Sequence, residues 1–116
     1  MIFFNKNSGI LMRDKHIVYL TQKESELMSA LILSKARRSF LSRQELVQFV
    51  WSDKEQCIDN GNIVQLVFLL RKKLSQITNQ TMILNLFKRG YYLNGDEPVS
   101  FTLYPLCFLK HVDFSK

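Results

Sequence analysis

The sequence is poor in the residues that mark small specialised folds. It has two cysteines, Cys57 and Cys107, with no CxxC pair and no neighbouring histidine. That argues against a disulfide scaffold or a zinc module and fits a reducing compartment. It has two prolines, Pro98 and Pro105, both close to the C-terminal end, so no proline breaks regular structure earlier in the chain. No apolar run reaches the roughly 18 residues that a membrane-crossing helix needs. The opening Met1 to Gly9 lacks a basic stretch followed by an apolar one, so a soluble, cytoplasmic, non-exported chain is expected. Paired carboxylates, a glycine-rich phosphate loop and HExxH are all missing, and His16 and His111 stand far apart. No enzymatic activity, cofactor or metal is therefore expected.

What is present is an ordinary globular composition. The chain has 116 residues, 47% hydrophobic and 22% charged, enough for one folded domain and too apolar for a disordered tail. Sixteen Lys and Arg against ten Asp and Glu leave a net charge of +6, which favours a polyanionic partner. The turn-forming cluster Asn94-Gly95-Asp96-Glu97-Pro98 divides a core domain, 1–94, from an extension, 95–116. Within the extension, Val99 to Leu109 is strongly apolar but too short to span a bilayer. It is expected to pack on its own domain, to add a strand, or to dock on a partner.

Local patterns predict the elements. Gly9 to Met12 and His16 to Leu20 read as a small hairpin, to which Ile2 to Phe4 can add a strand. Thr21-Gln22-Lys23-Glu24 is a capping box that opens a helix over Gln22 to Lys35. Ser42-Arg43-Gln44-Glu45 repeats the box and opens a second, with Leu46, Phe49 and Val50 as its apolar stripe and Trp51 as a core anchor. Ile63, Val67, Leu70, Leu74 and Ile77 set a third helix over Asn60 to Ile77. Thr81 to Phe87 and Tyr91 to Leu93, split by Lys88-Arg89-Gly90, then form a hairpin in which one of Tyr91 and Tyr92 faces the core.

A small N-terminal β-sheet, three helices and a C-terminal β-hairpin make an α+β fold, the order of winged helix-turn-helix proteins. The charge distribution fits. From Asn60 to Gly95 the basic residues are Arg71, Lys72, Lys73, Lys88 and Arg89, and Asp and Glu are absent. If all five met phosphates, log K would fall against log salt with a slope of about −4 to −5.

Leu20-Thr21-Gln22-Lys23-Glu24, Ser42-Arg43-x-Glu45-Leu46 ending in Val50-Trp51, Leu70-Arg71-Lys72-Lys73-Leu74 and Lys88-Arg89-Gly90-Tyr91 together resemble the OmpR and PhoB class of winged helix domains. Within it the chain is most similar to the ToxR and CadC-like branch, over roughly Gly9 to Leu93. The resemblance implies a bacterial-type transcriptional regulator that binds promoter DNA through its third helix and touches the phosphate backbone with its hairpin wing. It also implies that the connection Ser52 to Asp59 can touch RNA polymerase. Where PhoB-like members carry arginines beside the Leu-Arg motif, this chain has Phe68 and Leu69, so base contacts there do not transfer.

Projection of the third helix at about 100° per residue places Gln65, Phe68, Leu69, Lys72 and Gln76 opposite the apolar stripe. Gln65 suits an adenine edge, and Lys72 a phosphate or a guanine. Asn62 near the helix start and Arg71 on its flank complete the helix set, with Lys88 and Arg89 on the wing. Phe68 and Leu69 suit thymine methyl groups or a protein interface. Lys35, Arg37, Arg38 and Arg43 are secondary phosphate candidates, equally explained as a solvated basic loop. The chain is expected to act as a dimer or with a partner regulator. The competing reading keeps the fold but uses Phe68, Leu69 and the apolar extension to bind or sequester another regulator. An acidic-membrane binder fits less well, since the cations flank a groove-type helix and not one face of a surface helix.

Overall fold

The computed structural model describes residues 2–51, 58–95, 99–102 and 111–113. Three short strands come first: β1 (Ile2–Asn5), β2 (Ile10–Arg13) and β3 (His16–Tyr19). They pair as an antiparallel meander in which alternate residues point inward. Ile2, Phe4, Leu11 and Val18 are buried, while Phe3, Ile17 and Tyr19 face out.

Helix α1 (Gln22–Ala36) starts at the expected capping box. Thr21 Oγ1 accepts from the Glu24 amide at 3.2 Å, and Glu24 Oε1 accepts from the Thr21 amide at 2.8 Å. The helix is the hub of the core: α2, α3 and β6 all pack on it, which buries Leu27, Met28, Leu31 and Ile32 and also Ser29 and Ser34. Ser29 survives there because its hydroxyl donates to the Ser25 carbonyl oxygen at 2.9 Å. At the C-terminal end Arg38 takes a left-handed φ of 58°, and the Ser39 amide reaches back to the Ser34 carbonyl oxygen at 2.9 Å. This is a Schellman closure with arginine where glycine is usual.

A two-residue strand, β4 (Leu41–Ser42), leads into α2 (Arg43–Trp51). Its box also forms, with Ser42 and Glu45 exchanging two bonds at 3.0 Å. Trp51 is partly buried against the core, as expected. The connection 52–57 lies outside the described residues.

Helix α3 (Asn60–Leu74) has a third capping box, with Asp59 as N-cap and Asn62 as its reciprocal partner. It ends three residues before the expected Ile77. Ser75 caps it, and the Gln76 and Ile77 amides bond back three residues, to Lys73 and Leu74, tightening the chain into a turn. Ile77 stays buried through that turn, so the apolar spacing outlasts the helix. The wing follows as β5 (Ile83–Leu86) and β6 (Gly90–Leu93), antiparallel, with β4 on the far side of β6. Of the tyrosine pair, Tyr91 is buried and Tyr92 half-buried.

Residues 99–102, placed by sequence in an extension, form β7 (Val99–Thr102), parallel to β1 with Ile2 opposite Val99. Outside it lies β8 (His111–Asp113), antiparallel to β7. The sheet order is β3-β2-β1-β7-β8. Pro105 and Cys107 lie outside the described residues. Among the described residues no helix is long and apolar enough to cross a membrane.

Candidate nucleic-acid interface

The three consecutive cations of α3 point in three directions. Arg71 Nη2 donates to the Ile83 carbonyl oxygen at 3.1 Å, tying the last helical turn to the first residue of the wing. Lys72 is exposed and projects away from the core. Lys73 turns the other way: its ammonium lies 2.9 Å from Glu24 Oε1 and 2.7 Å from the Tyr19 carbonyl oxygen. Glu24 is 2% exposed, so this carboxylate serves two masters, the α1 cap and the Lys73 ammonium. Lys73 is thereby neutralised inside the domain, and the five cations counted from sequence fall to four: Arg71, Lys72, Lys88 and Arg89.

Leu66 explains the rotation. It is 6% exposed and adds to the stripe of Ile63, Val67, Leu70 and Leu74 on the side of Leu69 and Lys73. The buried face widens in that direction, which leaves Leu69 half-buried and uncovers Val64 on the opposite flank. The exposed face of α3 thus carries Val64, Gln65, Phe68 and Lys72, with Phe68 56% and Val64 51% exposed. Val64 was not among the sequence candidates; its spacing of four from Phe68 was the available signal once Leu66 joined the core stripe.

Asn62 is exposed, but its Oδ1 accepts from the Asp59 amide at 3.1 Å while its own amide donates to Asp59 Oδ1 at 3.0 Å. It is held at the helix start by the cap. Arg43, at the start of α2, donates to the Asn60 side chain and so links the first turns of α2 and α3. Of the other secondary cations, Lys35 bonds the Gly95 carbonyl oxygen at 2.6 Å and Arg37 lies 3.7 Å from Glu45. Both are occupied within the domain.

The wing tip is Phe87-Lys88-Arg89, closed by the Arg89 amide donating to the Leu86 carbonyl oxygen at 2.9 Å. Lys88 takes a left-handed φ of 59°, and its ammonium sits 5.3 Å from the centre of the Phe87 ring. Lys88, Arg89 and Phe87 are all exposed. Gly90 then makes the close approach that anchors the wing: with φ at 146°, a Cβ there would lie 2.1 Å from the Leu41 carbonyl oxygen. The wing is therefore anchored at two points, to α3 through Arg71 and Ile83, and through Gly90 to β4, which runs directly into α2. Among the described residues no cluster of His, Cys, Asp or Glu can hold a metal ion.

Comparison with known proteins fits this geometry. Residues 14–93 match the family described as "Transcriptional regulatory protein, C terminal". The chain is 31% identical over 94 residues to a cholera toxin homolog transcriptional activator of Vibrio parahaemolyticus serotype O3:K6 (strain RIMD 2210633), covering 78% of this chain and 32% of that protein. It thus spans about a third of that relative's length. The DNA-binding domain of E. coli CadC superposes with a TM-score of 0.64 at 26% identity, over 77% of this chain and 81% of that one. The C-terminal domain of the nisin resistance regulator NsrR, a lantibiotic response regulator, gives 0.63 at 24% identity over 76% and 87%, a likeness of fold.

Proposed function

The chain belongs to the family of transcriptional regulatory protein C-terminal domains, DNA-binding regulatory modules and not enzymes, and from that premise we propose that it binds promoter DNA sequence-selectively. In this reading α3 lies in the major groove, and Phe87-Lys88-Arg89 of the wing meets the adjacent phosphate backbone. The single observation that carries it is that the exposed face of α3 and the wing tip, joined through Arg71, present cations from a stretch, Asn60 to Gly95, without one acidic side chain. Lys72, Lys88, Arg89 and the remaining donors of Arg71 position the duplex, and Gln65 reads a base edge. Contact of the connection 52–59 with RNA polymerase, and action as a dimer or beside a partner regulator, rest on the family resemblance alone.

The test is a mobility-shift titration on promoter fragments over a salt series. Four neutralised phosphates give an expected slope of log K against log salt of about −3.6. Absence of binding to every fragment at low salt would refute the reading.

A further inference from the structure

The exposed face of α3 is apolar where a solvated helix would be polar. Val64 and Phe68 stand four residues apart, both more than half exposed, and Lys72 continues the same row. Gln65 lies beside them, and no arginine shares the row. On the reading that α3 enters the major groove, we propose that Val64 and Phe68 are specificity-determining residues that pack on thymine 5-methyl groups, so that the chain selects duplexes presenting A·T pairs to this stripe.

Two features favour this occupant. The first is charge: Lys72 continues the row one turn on and Arg71 flanks it on the same helix, as phosphates flank the apolar thymine methyls. The second is size. Leu69 is half-buried, so the stripe amounts to two side chains, far short of the roughly 800 Å² per partner of a standard protein interface. The spacing also suits a duplex. Four residues of helix rise about 6 Å, against about 3.4 Å per base step, so the two side chains meet base pairs roughly two steps apart. Gln65, which pairs best with adenine N6 and N7, reads the same type of base pair from the same face.

The experiment selects tight-binding duplexes from a randomised pool with the full chain at low salt, then replaces each thymine singly by deoxyuridine, which removes only the methyl group. One or two replacements are expected to weaken the wild-type chain about fourfold each, the value of one buried methyl. In Phe68→Ala or Val64→Ala the matching replacement is expected to cost less than about 1.5-fold, with the salt slope unchanged. Both side chains are exposed, so the variants keep the core, which thermal unfolding checks. Tight binding that is indifferent to every thymine methyl overturns this inference and leaves the DNA-binding reading standing. Phe68→Ala with unaltered affinity and thymine dependence assigns the stripe to a protein partner and also overturns it. No duplex bound by the wild-type chain at low salt overturns both.

Discussion

Lys73→Met separates a structural cation from its two neighbours in the same run. The substitution keeps the aliphatic stem and removes the ammonium that lies 2.9 Å from Glu24 and 2.7 Å from the Tyr19 carbonyl oxygen. Removing one partner of a fully buried ion pair costs about 3–5 kcal/mol. Here the lysine side chain is 29% exposed and Glu24 keeps its bond from the Thr21 amide, so the loss reduces to about 2 kcal/mol. In urea that moves the unfolding midpoint down by about 1–2 M. Glu24→Gln retains an acceptor for the cap and loses the charge, so a double-mutant cycle isolates the pair. In DNA titrations Lys73→Met is expected to leave the salt slope unchanged. Lys72→Met is expected to do the reverse: stability within about 0.5 kcal/mol of wild type and a slope shallower by about 0.9. Undiminished stability in Lys73→Met together with a shallower salt slope would refute the reasoning, because Lys73 would then be a phosphate contact.

Lys72→Ala combined with Arg89→Ala is expected to weaken binding to all sequences alike and to lower the salt slope by about 1.8, whereas Gln65→Ala is expected to cost about 1–3 kcal/mol at one base position and to relax preference there; equal losses on every sequence from both would reassign the roles. Gly90→Ala is expected to destabilise the domain by about 2–4 kcal/mol, since its Cβ meets the Leu41 carbonyl oxygen at 2.1 Å and its φ is 146°; calorimetry reads this, and a loss below 0.5 kcal/mol, within the usual surface range, would count against the close approach. Glu45 is held below its ordinary pKa of 4.5 by hydrogen bonds from the Ser42 amide and hydroxyl and by the Arg37 charge. A depressed folded value means that its charge stabilises the fold above the unfolded value and that this contribution fades as pH falls through the folded one. Thermal melts of wild type and Glu45→Gln, which keeps the cap bond, are therefore expected to differ slightly at pH 7 and to converge well below pH 4.5.

Elements with a local signature were legible in the sequence. Two helix starts followed from Thr21 with Glu24 and from Ser42 with Glu45, because a capping box is complete within four residues. The α3 box is not legible because its inner member is Asn62 and not Glu or Gln, so Asn62 stands in the sequence as a DNA-contact candidate while its side chain also closes the cap. The end of α3 was placed too late because Ile77 keeps both the apolar rhythm and its burial after the backbone has tightened. Strand β4 and the parallel pairing of β1 with β7 have no local signature, since each is set by a partner distant in sequence.

The arginine-lysine-lysine run shows why charge counting overstates an interface. Successive helical residues are turned by about 100°, so three adjacent cations cannot all face one partner. Which of them turns inward is decided by an apolar neighbour. Burial of Leu66 carries the core face toward Lys73 and away from Val64, and Glu24 is waiting there at the cap of α1. Arg71, on the other flank, meets the Ile83 carbonyl oxygen and sets the wing beside the helix. Lys72, turned between them, is left exposed with its ammonium directed away from the core. One short motif thus fastens α3 to α1 through Lys73, fastens the wing to α3 through Arg71, and leaves Lys72 with the remaining donors of Arg71 as its outward charge. The wing supplies the rest, which is why displacing it through Gly90 should cost affinity as well as stability.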